Sequence, residues 1–384
     1  MSKNNPEPGI TGYVESKPLE RLHSLDGLRG LLALQVVAFH YLSQFPNVLE
    51  WARSSFLPVY NGNYAVCMFF LLSGFVMSYV YGEHLAAGDS AAELRRFFGA
   101  RAARLVPVQM FTLLVLFLGT SPLFLNDNTF LRPDTSLSLD GLIASLFSVQ
   151  GPWLDRHSWN YPAWSISVEW HLYLLFPLIV LVFPLKRLSW LMMLVGVAGP
   201  SLYVLSRGGS GGSVPSTGGL SLLFALGLFV SGMAVYSIWR SRRLDSWGLA
   251  IAAVVITVAC ISVRGWFWMA LLASPLLLLA LLRNNVVRAV FSSAPMRFLG
   301  TISYSLYMSH AVFQMLAVNR PYYQQLFAGD DTIRWIGYLV SIVLALVVGT
   351  AVHFLVERPC RRFISGALKL RLPKTTSPAL QGAV

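Results

Sequence analysis

"LDGLRGLLALQVVAFHYL", residues 25–42, is the first stretch able to cross a bilayer, and it carries the ionisable residues Arg29 and His40. Eleven helical steps separate them, almost three whole turns, so both side chains face the same way about 16 Å apart along the axis. Charged groups at membrane depth are expensive and persist where they meet protein, water or substrate. A fixed cation at one level and a titratable imidazole at another read as a binding and proton-transfer axis. The alternative is an interfacial Arg reaching headgroups, plus a buried His bonded to a neighbouring helix.

The rest of the chain has the same character. Of its 384 residues, 55% are hydrophobic and 12% charged, about half the charge of a soluble domain. Apolar windows near 27–44, 64–82, 105–125, 164–184, 188–206, 220–239, 247–263, 266–282, 299–318 and 335–356 predict an all-α polytopic membrane protein with about ten transmembrane helices. Residues 1–24 are polar and lack the apolar core of a cleavable signal, so the first span is expected to act as an uncleaved anchor.

Basic residues set the orientation. In strict alternation, seven of the 29 Lys and Arg fall on one side: Arg53, Arg132, Arg156, Arg207, Arg264, Arg320 and Arg334. The other 22 (29 − 7) share the side of both termini, which the positive-inside rule makes cytoplasmic. The expected divisions are a cytoplasmic segment 1–24, a transmembrane domain 25–358 and a cytoplasmic tail 359–384. Within the domain, 83–104 reads as an inner basic amphipathic stretch on the membrane surface, and 126–163 as a large outer loop. The net charge of +12 lies in short clusters between spans, which argues for membrane lipid and against nucleic acid as partner. Cys67, Cys260 and Cys360 form neither a CxxC pattern nor a disulfide framework, and no HExxH-like spacing suggests a metal.

Polar residues inside the spans gather at a few places. In "WSISVEWHLYLLFP", Ser165, Glu169 and Tyr173 fall on one helical face, with Glu169 about 7 Å below Trp164. An acid at that depth pairs with a cation, stays protonated or bonds another helix. In "LGTISYSLYMSHAVF", Ser303, Tyr307 and His310 share a face, with Tyr304 beside Ser303. His310 lies about as deep as His40, so the two imidazoles could line one chamber or be unrelated core residues. Arg101 and Arg104 of "RAARLVP" can present two guanidinium forks to phosphate, or serve as ordinary positive-inside anchors. Ser73 and Gly74 of "FFLLSGF" suit close helix approach. His353 and Glu357 are spaced to form a local pair. Trp153, Trp159, Tyr161 and Trp164 offer faces for sugar rings or an interfacial belt.

Six motifs in order, "SLDGLRGLLALQVVAFH", "FFLLSGF", "RAARLVP", "WSISVEWHLYLLFP", "LGTISYSLYMSH" and "VERP", run from Ser24 to Pro359. Through them the chain resembles acyltransferase family three, membrane proteins that O-acetylate O-antigens, exopolysaccharides, nodulation factors and some macrolides. One departure is "AVCM" (Ala65 to Met68), where the family often has a Gly-Val-Asp-like segment; Cys67 cannot supply a carboxylate. The resemblance implies a bacterial inner-membrane enzyme, an acyl-CoA donor, usually acetyl-CoA, and a hydroxyl acceptor, usually on a sugar. It also implies that Arg29, His40, Arg101 and Arg104 carry much of the function.

On this reading His40 is the catalytic base, with Glu169 orienting it or holding the acceptor. Arg29, Arg101 and Arg104 hold the donor. Ser73, Trp164, Ser165, Tyr173, Ser303, Tyr304, Tyr307 and His310 form the substrate-facing set. Direct transfer and an acyl-histidine relay both remain open, as do a polysaccharide, a lipid-linked sugar and a small secondary metabolite as acceptor. A proton-coupled transporter or flippase for a lipid-linked sugar is the rival class, since polar residues within spans suit it equally.

Overall fold

In lipid a chain must close its backbone hydrogen bonds internally, and helices do so within one segment. A computed structural model of the protein describes residues 21–55, 58–86, 90–120, 135–182, 190–241, 247–263, 265–283 and 286–368. Its helices are α1 (His23–Leu42), α2 (Pro46–Ser54), α3 (Asn63–Met77), α4 (Glu83–Ala86), α5 (Ser90–Gly119) and α6 (Leu139–Leu146). There follow α7 (Gln150–Trp153), α8 (Trp164–Val182), α9 (Trp190–Ser206), α10 (Gly218–Ser241), α11 (Trp247–Ser262) and α12 (Phe267–Leu282). The last five are α13 (Val286–Phe291), α14 (Ala294–Phe313), α15 (Pro321–Leu326), α16 (Asp331–Val352) and α17 (Arg358–Ala367). Strand pairing among the described residues is one parallel contact of Thr135–Ser136 with His157–Ser158.

The chain is an all-α membrane protein. Five described helical stretches are long and apolar enough to cross a bilayer: Asn63–Ala86, Ala91–Gly119, Tyr161–Val182, Gly218–Ser241 and Asp331–Ala367. Three more, Trp190–Ser206, Gly248–Ser262 and Phe267–Leu282, are apolar but shorter. α1 and α14 are 20-residue helices made less apolar by Asp26, Arg29 and His40 in one, and Arg297 and His310 in the other. Residues 1–20 of the expected segment 1–24, residues 369–384 of the expected tail, residues 87–89 of the inner stretch and residues 126–134 of the outer loop lie outside the described residues.

One boundary differs from expectation. The basic stretch from residue 90 and the third apolar window form a single helix, α5, with Pro107 inside it. Its Arg101 and Arg104 are only 1% and 7% exposed, so this part of the stretch turns its cations into the protein rather than toward a surface. The reason is local: Arg101 finds the Tyr81 hydroxyl at 3.1 Å and the rings of Tyr81 and Tyr173 below its guanidinium.

α1 makes its largest contact with α14. Glycines let these helices approach backbone to backbone. A Cβ at Gly30 would lie 2.5 Å from the Gly300 nitrogen, and one at Gly300 would lie 2.2 Å from the Asp26 carbonyl oxygen. α3 and α10 meet in the same way through Gly74 and Gly232, where a Cβ would come within 1.9 Å of the opposing backbone. Small residues at such crossings replace the hydrophobic drive that is absent between helices in lipid. Three π-helical turns, Ser78–Gly82, Gln314–Val318 and His353–Glu357, continue α3, α14 and α16. Wide turns of this kind re-aim side chains and recur at functional sites.

In the polar connection before α8, Ser138 caps α6 by accepting from the Gly141 N–H. The Ser138 hydroxyl and the Arg156 guanidinium hold the exposed Asp140 carboxyl below the usual carboxylate range. This tie is complete at neutral pH and is lost as pH falls through the depressed value.

Gly30→Val forces α1 and α14 apart, because the obstructing atoms are backbone. We expect a loss of about 1–3 kcal/mol in reversible unfolding of the purified protein in micelles. Gly199, whose Cβ would meet nothing within 4 Å, is the control: Gly199→Ala should be neutral or slightly stabilising.

Candidate functional site

A recess between α1, α3, α5, α8 and α14 contains about 670 Å³ of empty space, its open mouth included. Ten of the residues singled out in the sequence line it: Arg29, Ser73, Arg101, Arg104, Ser165, Glu169, Tyr173, Ser303, Tyr304 and Tyr307. They come from five helices and from sequence positions up to 278 apart (307 − 29). Phe69, Phe70, Leu72, Val76, Met77 and Ile166 supply its apolar wall.

Several of these polar residues are bonded to neighbours. The Ser73 hydroxyl donates to Glu169 Oε1 at 2.9 Å, and the Tyr173 hydroxyl donates to the same oxygen. The expected i, i+4 facing on α8 thus brings Glu169 and Tyr173 together, with Ser73 of α3 as third partner. Tyr173 also lies beneath the Arg101 guanidinium, 5.9 Å from its ring centroid, so cation, ring and acid follow one another along the wall. Ser165 and Tyr307 share a hydrogen bond of 2.6 Å, and the Tyr307 hydroxyl reaches the Pro162 carbonyl at 3.0 Å. Tyr304 donates to the Leu105 carbonyl at 2.6 Å, and Ser303 to that of Gly300 at 2.9 Å.

Three expected site residues do not line the recess. Trp164, 8% exposed, packs its ring 6.1 Å from that of Phe70. His40 and His310 lie behind Tyr307, whose ring centroid is 5.9 Å from the His310 ring. Arg29 and His40 therefore do not both line this recess: Tyr307, braced by Ser165 and by the edge of Phe69, stands between.

The two imidazoles do meet. His40 Nδ1 and His310 Nε2 are 2.9 Å apart, with the rings within 8° of coplanar. The direction of this hydrogen bond follows from the other nitrogen of His310. Its Nδ1 lies 2.6 Å from the Tyr307 carbonyl oxygen, which can only accept, so Nδ1 carries a hydrogen. In the neutral ring Nε2 must then accept, and His40 donates from Nδ1. The basic lone pair of neutral His40 consequently resides on Nε2. The edge of Tyr161 abuts His40, centroids 5.0 Å apart. The Tyr161 hydroxyl donates to Gln314 Oε1 at 2.7 Å, and Gln314 Nε2 donates to the His40 carbonyl at 3.0 Å. Tyr41 donates to the His310 carbonyl at 3.0 Å.

Sequence reading missed Tyr81, Gln314 and the burial of Arg361. Tyr81 and Gln314 sit on π-helical turns, where regular facing gives the wrong side chain. Tyr161, read for its aromatic face, instead abuts His40. The expected pair His353–Glu357 is present at 3.0 Å, and the Ser305 hydroxyl joins it. Cys67 and Cys260 are buried thiols and Cys360 is exposed. No group of three or more His, Cys, Asp or Glu that could hold a metal occurs among the described residues.

With this geometry in place, the comparisons with known proteins are direct. The chain belongs to acyltransferase family three: the family's model, described as "Acyltransferase domain", matches residues 22–354. It is 29% identical to the acyltransferase MdmB of Streptomyces mycarofaciens, over 93% of this chain and 95% of that one. It is 25% identical to the peptidoglycan O-acetyltransferase OatA of Listeria monocytogenes, over 75% of this chain and 48% of that one. Relatives in Staphylococcus aureus, provisionally named O-acetyltransferases, are 23% identical over 91% of this chain and 59% of theirs. The chain thus spans about half to three-fifths of the listerial and staphylococcal proteins. No solved structure matches it.

Tyr307→Phe removes the hydroxyl that bonds Ser165 and Pro162 but keeps the carbonyl that holds His310. It should lower stability by about 0.5–1.5 kcal/mol while leaving the His40–His310 distance unchanged in a structure of the variant.

Proposed function

We propose that the protein is a membrane O-acyltransferase that moves an acetyl or short acyl group from acyl-CoA to a hydroxyl of a carbohydrate acceptor, such as a cell-surface polysaccharide or its lipid-linked precursor. Ten spans, both termini in the cytoplasm and residence in a bacterial inner membrane complete the proposal. Family membership and the O-acetyltransferase relatives support the reaction class. OatA, named for peptidoglycan, supports a glycan acceptor. The observation that carries the mechanism is the His40-to-His310 hydrogen bond, which leaves a basic nitrogen at His40 Nε2.

A sugar hydroxyl is a poor nucleophile at neutral pH and needs a positioned base. His40 Nε2 takes the hydroxyl proton as the oxygen attacks the thioester carbonyl carbon. The positive charge then forming on His40 is shared through Nδ1–H with the acceptor His310 Nε2, while the His310 proton stays on Nδ1, donated to the Tyr307 carbonyl. Collapse of the tetrahedral oxyanion breaks the C–S bond, and the proton on His40 passes to the departing thiolate. His310 acts here as a positioning residue, fully buried with both ring nitrogens engaged, rather than as a substrate contact. Arg29, Arg101 and Arg104 hold the donor, while Glu169, fixed by Ser73 and Tyr173, orients the acceptor. In the alternative covalent route the same Nε2 attacks the thioester first.

His40→Ala should lower kcat by about 10²–10⁴-fold, measured with radiolabelled acetyl-CoA and acceptor glycan, with donor binding retained. Unchanged turnover in that variant would remove the proposed mechanism. Labelled acetyl-CoA offered without acceptor distinguishes the routes: label retained on His40 indicates the covalent route, and its absence direct transfer. His310→Ala should lose activity on the order of 10²-fold. His310→Gln, which restores an acceptor for His40 Nδ1–H, should recover part of it.

A further inference from the structure

The stretch around α6 has the wrong side out for a segment in water. Leu139, Ile143 and Phe147, at i, i+4 and i+8, are 72%, 48% and 75% exposed, with Leu146 exposed beside them. The opposite face buries Gly141, Ala144 and Ser145, and the turn after it buries Ser148 and Gln150. A helix in water turns its apolar stripe to the core and its polar face out. Apolar side chains outward over a polar, hydrogen-bonded interior suit a segment surrounded by lipid tails, where polar groups hold elements together.

Hydrogen bonds fix the levels that this stretch visits. Gln109 of α5 donates from Nε2 to the Ser145 carbonyl at 2.8 Å and to the Ser148 hydroxyl at 2.7 Å. Gln109 lies ten residues before the end of α5 at Gly119 (119 − 109), about 15 Å along the helix. Over that length α5 exposes Leu114, Phe117 and Leu118, and it is one of the stretches able to cross a bilayer. Leu137 and Leu142 pack against the group that holds Leu113 and Leu116 of α5, so α6 descends beside the same turns. The chain then climbs back. Leu154, just after α7, accepts from the N–H of Gly218 at 2.8 Å, and Gly218 begins α10, another crossing helix. At the open end Thr135–Ser136 pairs with His157–Ser158, Asp140 pairs with Arg156 and Asp155 is exposed.

Backbone at membrane depth must have its polar groups bonded within the protein, and the tip meets that demand. The N–H groups of Phe147, Ser148 and Val149 donate to the carbonyls of Ile143, Ser145 and Ala144 at 3.2, 3.2 and 2.9 Å. The last two are the paired bonds that close a helix through a left-handed residue, here Ser148 with φ +56°.

We infer that residues 137–156 form a re-entrant hairpin that dips into one leaflet, and that its outward face, led by Phe147 at the tip, is a docking surface for the hydrocarbon chains of membrane lipid. The surface continues the exposed apolar side of α5, and this continuity selects lipid as the occupant. Beyond the hairpin, Asn160 donates to Thr112 of α5 at 3.2 Å and to the Met308 carbonyl of α14 at 2.9 Å, and Tyr161 abuts His40. Lipid under Phe147 thus supports the wall beside the imidazole pair, whatever group the enzyme transfers.

The experiment uses the full chain in phosphatidylcholine nanodiscs, in a Cys360→Ser background that keeps only the buried thiols Cys67 and Cys260 and serves unsubstituted as the blank. Leu139→Cys, Ile143→Cys, Phe147→Cys, Leu118→Cys and Asp155→Cys each carry a nitroxide. Electron paramagnetic resonance reads their collisions with oxygen, which concentrates in hydrocarbon, and with a water-soluble nickel chelate. The oxygen-to-nickel ratio should rise from Leu139 through Ile143 to Phe147. Ile143 and Phe147 should stand several-fold above Asp155, with Phe147 at or above Leu118. Leu146→Cys, on the same face, takes the place of any labelled variant that does not elute as the wild type does. Ratios at Ile143 and Phe147 equal to that at Asp155 overturn the inference and put the hairpin in water. A ratio that falls toward Phe147 overturns it as well, since the tip would then be the shallow end. Labels shielded from both reagents overturn lipid as the occupant, in favour of a second copy or another protein.

Discussion

The closeness of α1 and α14 is the constraint on which the rest of the structure depends. Gly30 and Gly300 let two backbones touch where any side chain would hold them apart. Ten residues further along each helix, the same approach brings His40 and His310 to 2.9 Å. Without a hydrophobic drive between helices in lipid, such contacts rely on fit and interhelical hydrogen bonds, and the imidazole pair is one of those bonds. Packing and proposed chemistry therefore share a single crossing. His40 and His310, two of the polar residues that make α1 and α14 less apolar, bond across it.

Electrostatics divides the site into two regions. One is cationic, with Arg101 and Arg104 buried on α5. The other is the imidazole pair behind Tyr307. Between them stands the hydrogen-bonded set of Ser73, Glu169 and Tyr173. This order suits a donor whose charge is far from its reacting carbon: phosphates at the cationic region, acyl group toward the imidazoles. Tyr307 and Ser165 close the recess short of His40, so acyl transfer on this scheme requires the Tyr307 ring to shift.

Much of this was legible in the sequence because two periodicities are robust. Apolar windows gave helices at the expected places, and i, i+4 spacing put Ser165, Glu169 and Tyr173 on one face. Those patterns gathered ten of the thirteen named site residues around one recess. Facing alone could not say that Arg29 and His40, three turns apart, are divided by a tyrosine from another helix, since that depends on how α14 crosses α1. Nor could it find Tyr81 or Gln314, whose π-helical turns shift the register by a residue. Arg361 was counted among positive-inside anchors, because a basic tail helix has the same composition whether its arginine faces water or a buried site. The third span was expected to start at 105, but α5 begins at Ser90, because Arg101 and Arg104 have partners inside the protein and need no surface.

The hydrogen-bond direction between His40 and His310 is the central claim, and nitrogen NMR of the protein carrying ¹⁵N-labelled histidine tests it most directly. Signals are assigned by their disappearance in single-histidine variants. The account predicts that neutral His40 is protonated at Nδ1 with Nε2 bare, and that His310 is likewise protonated at Nδ1. A His40 ring protonated at Nε2, or one whose signals are unaffected when His310 is replaced, would contradict it.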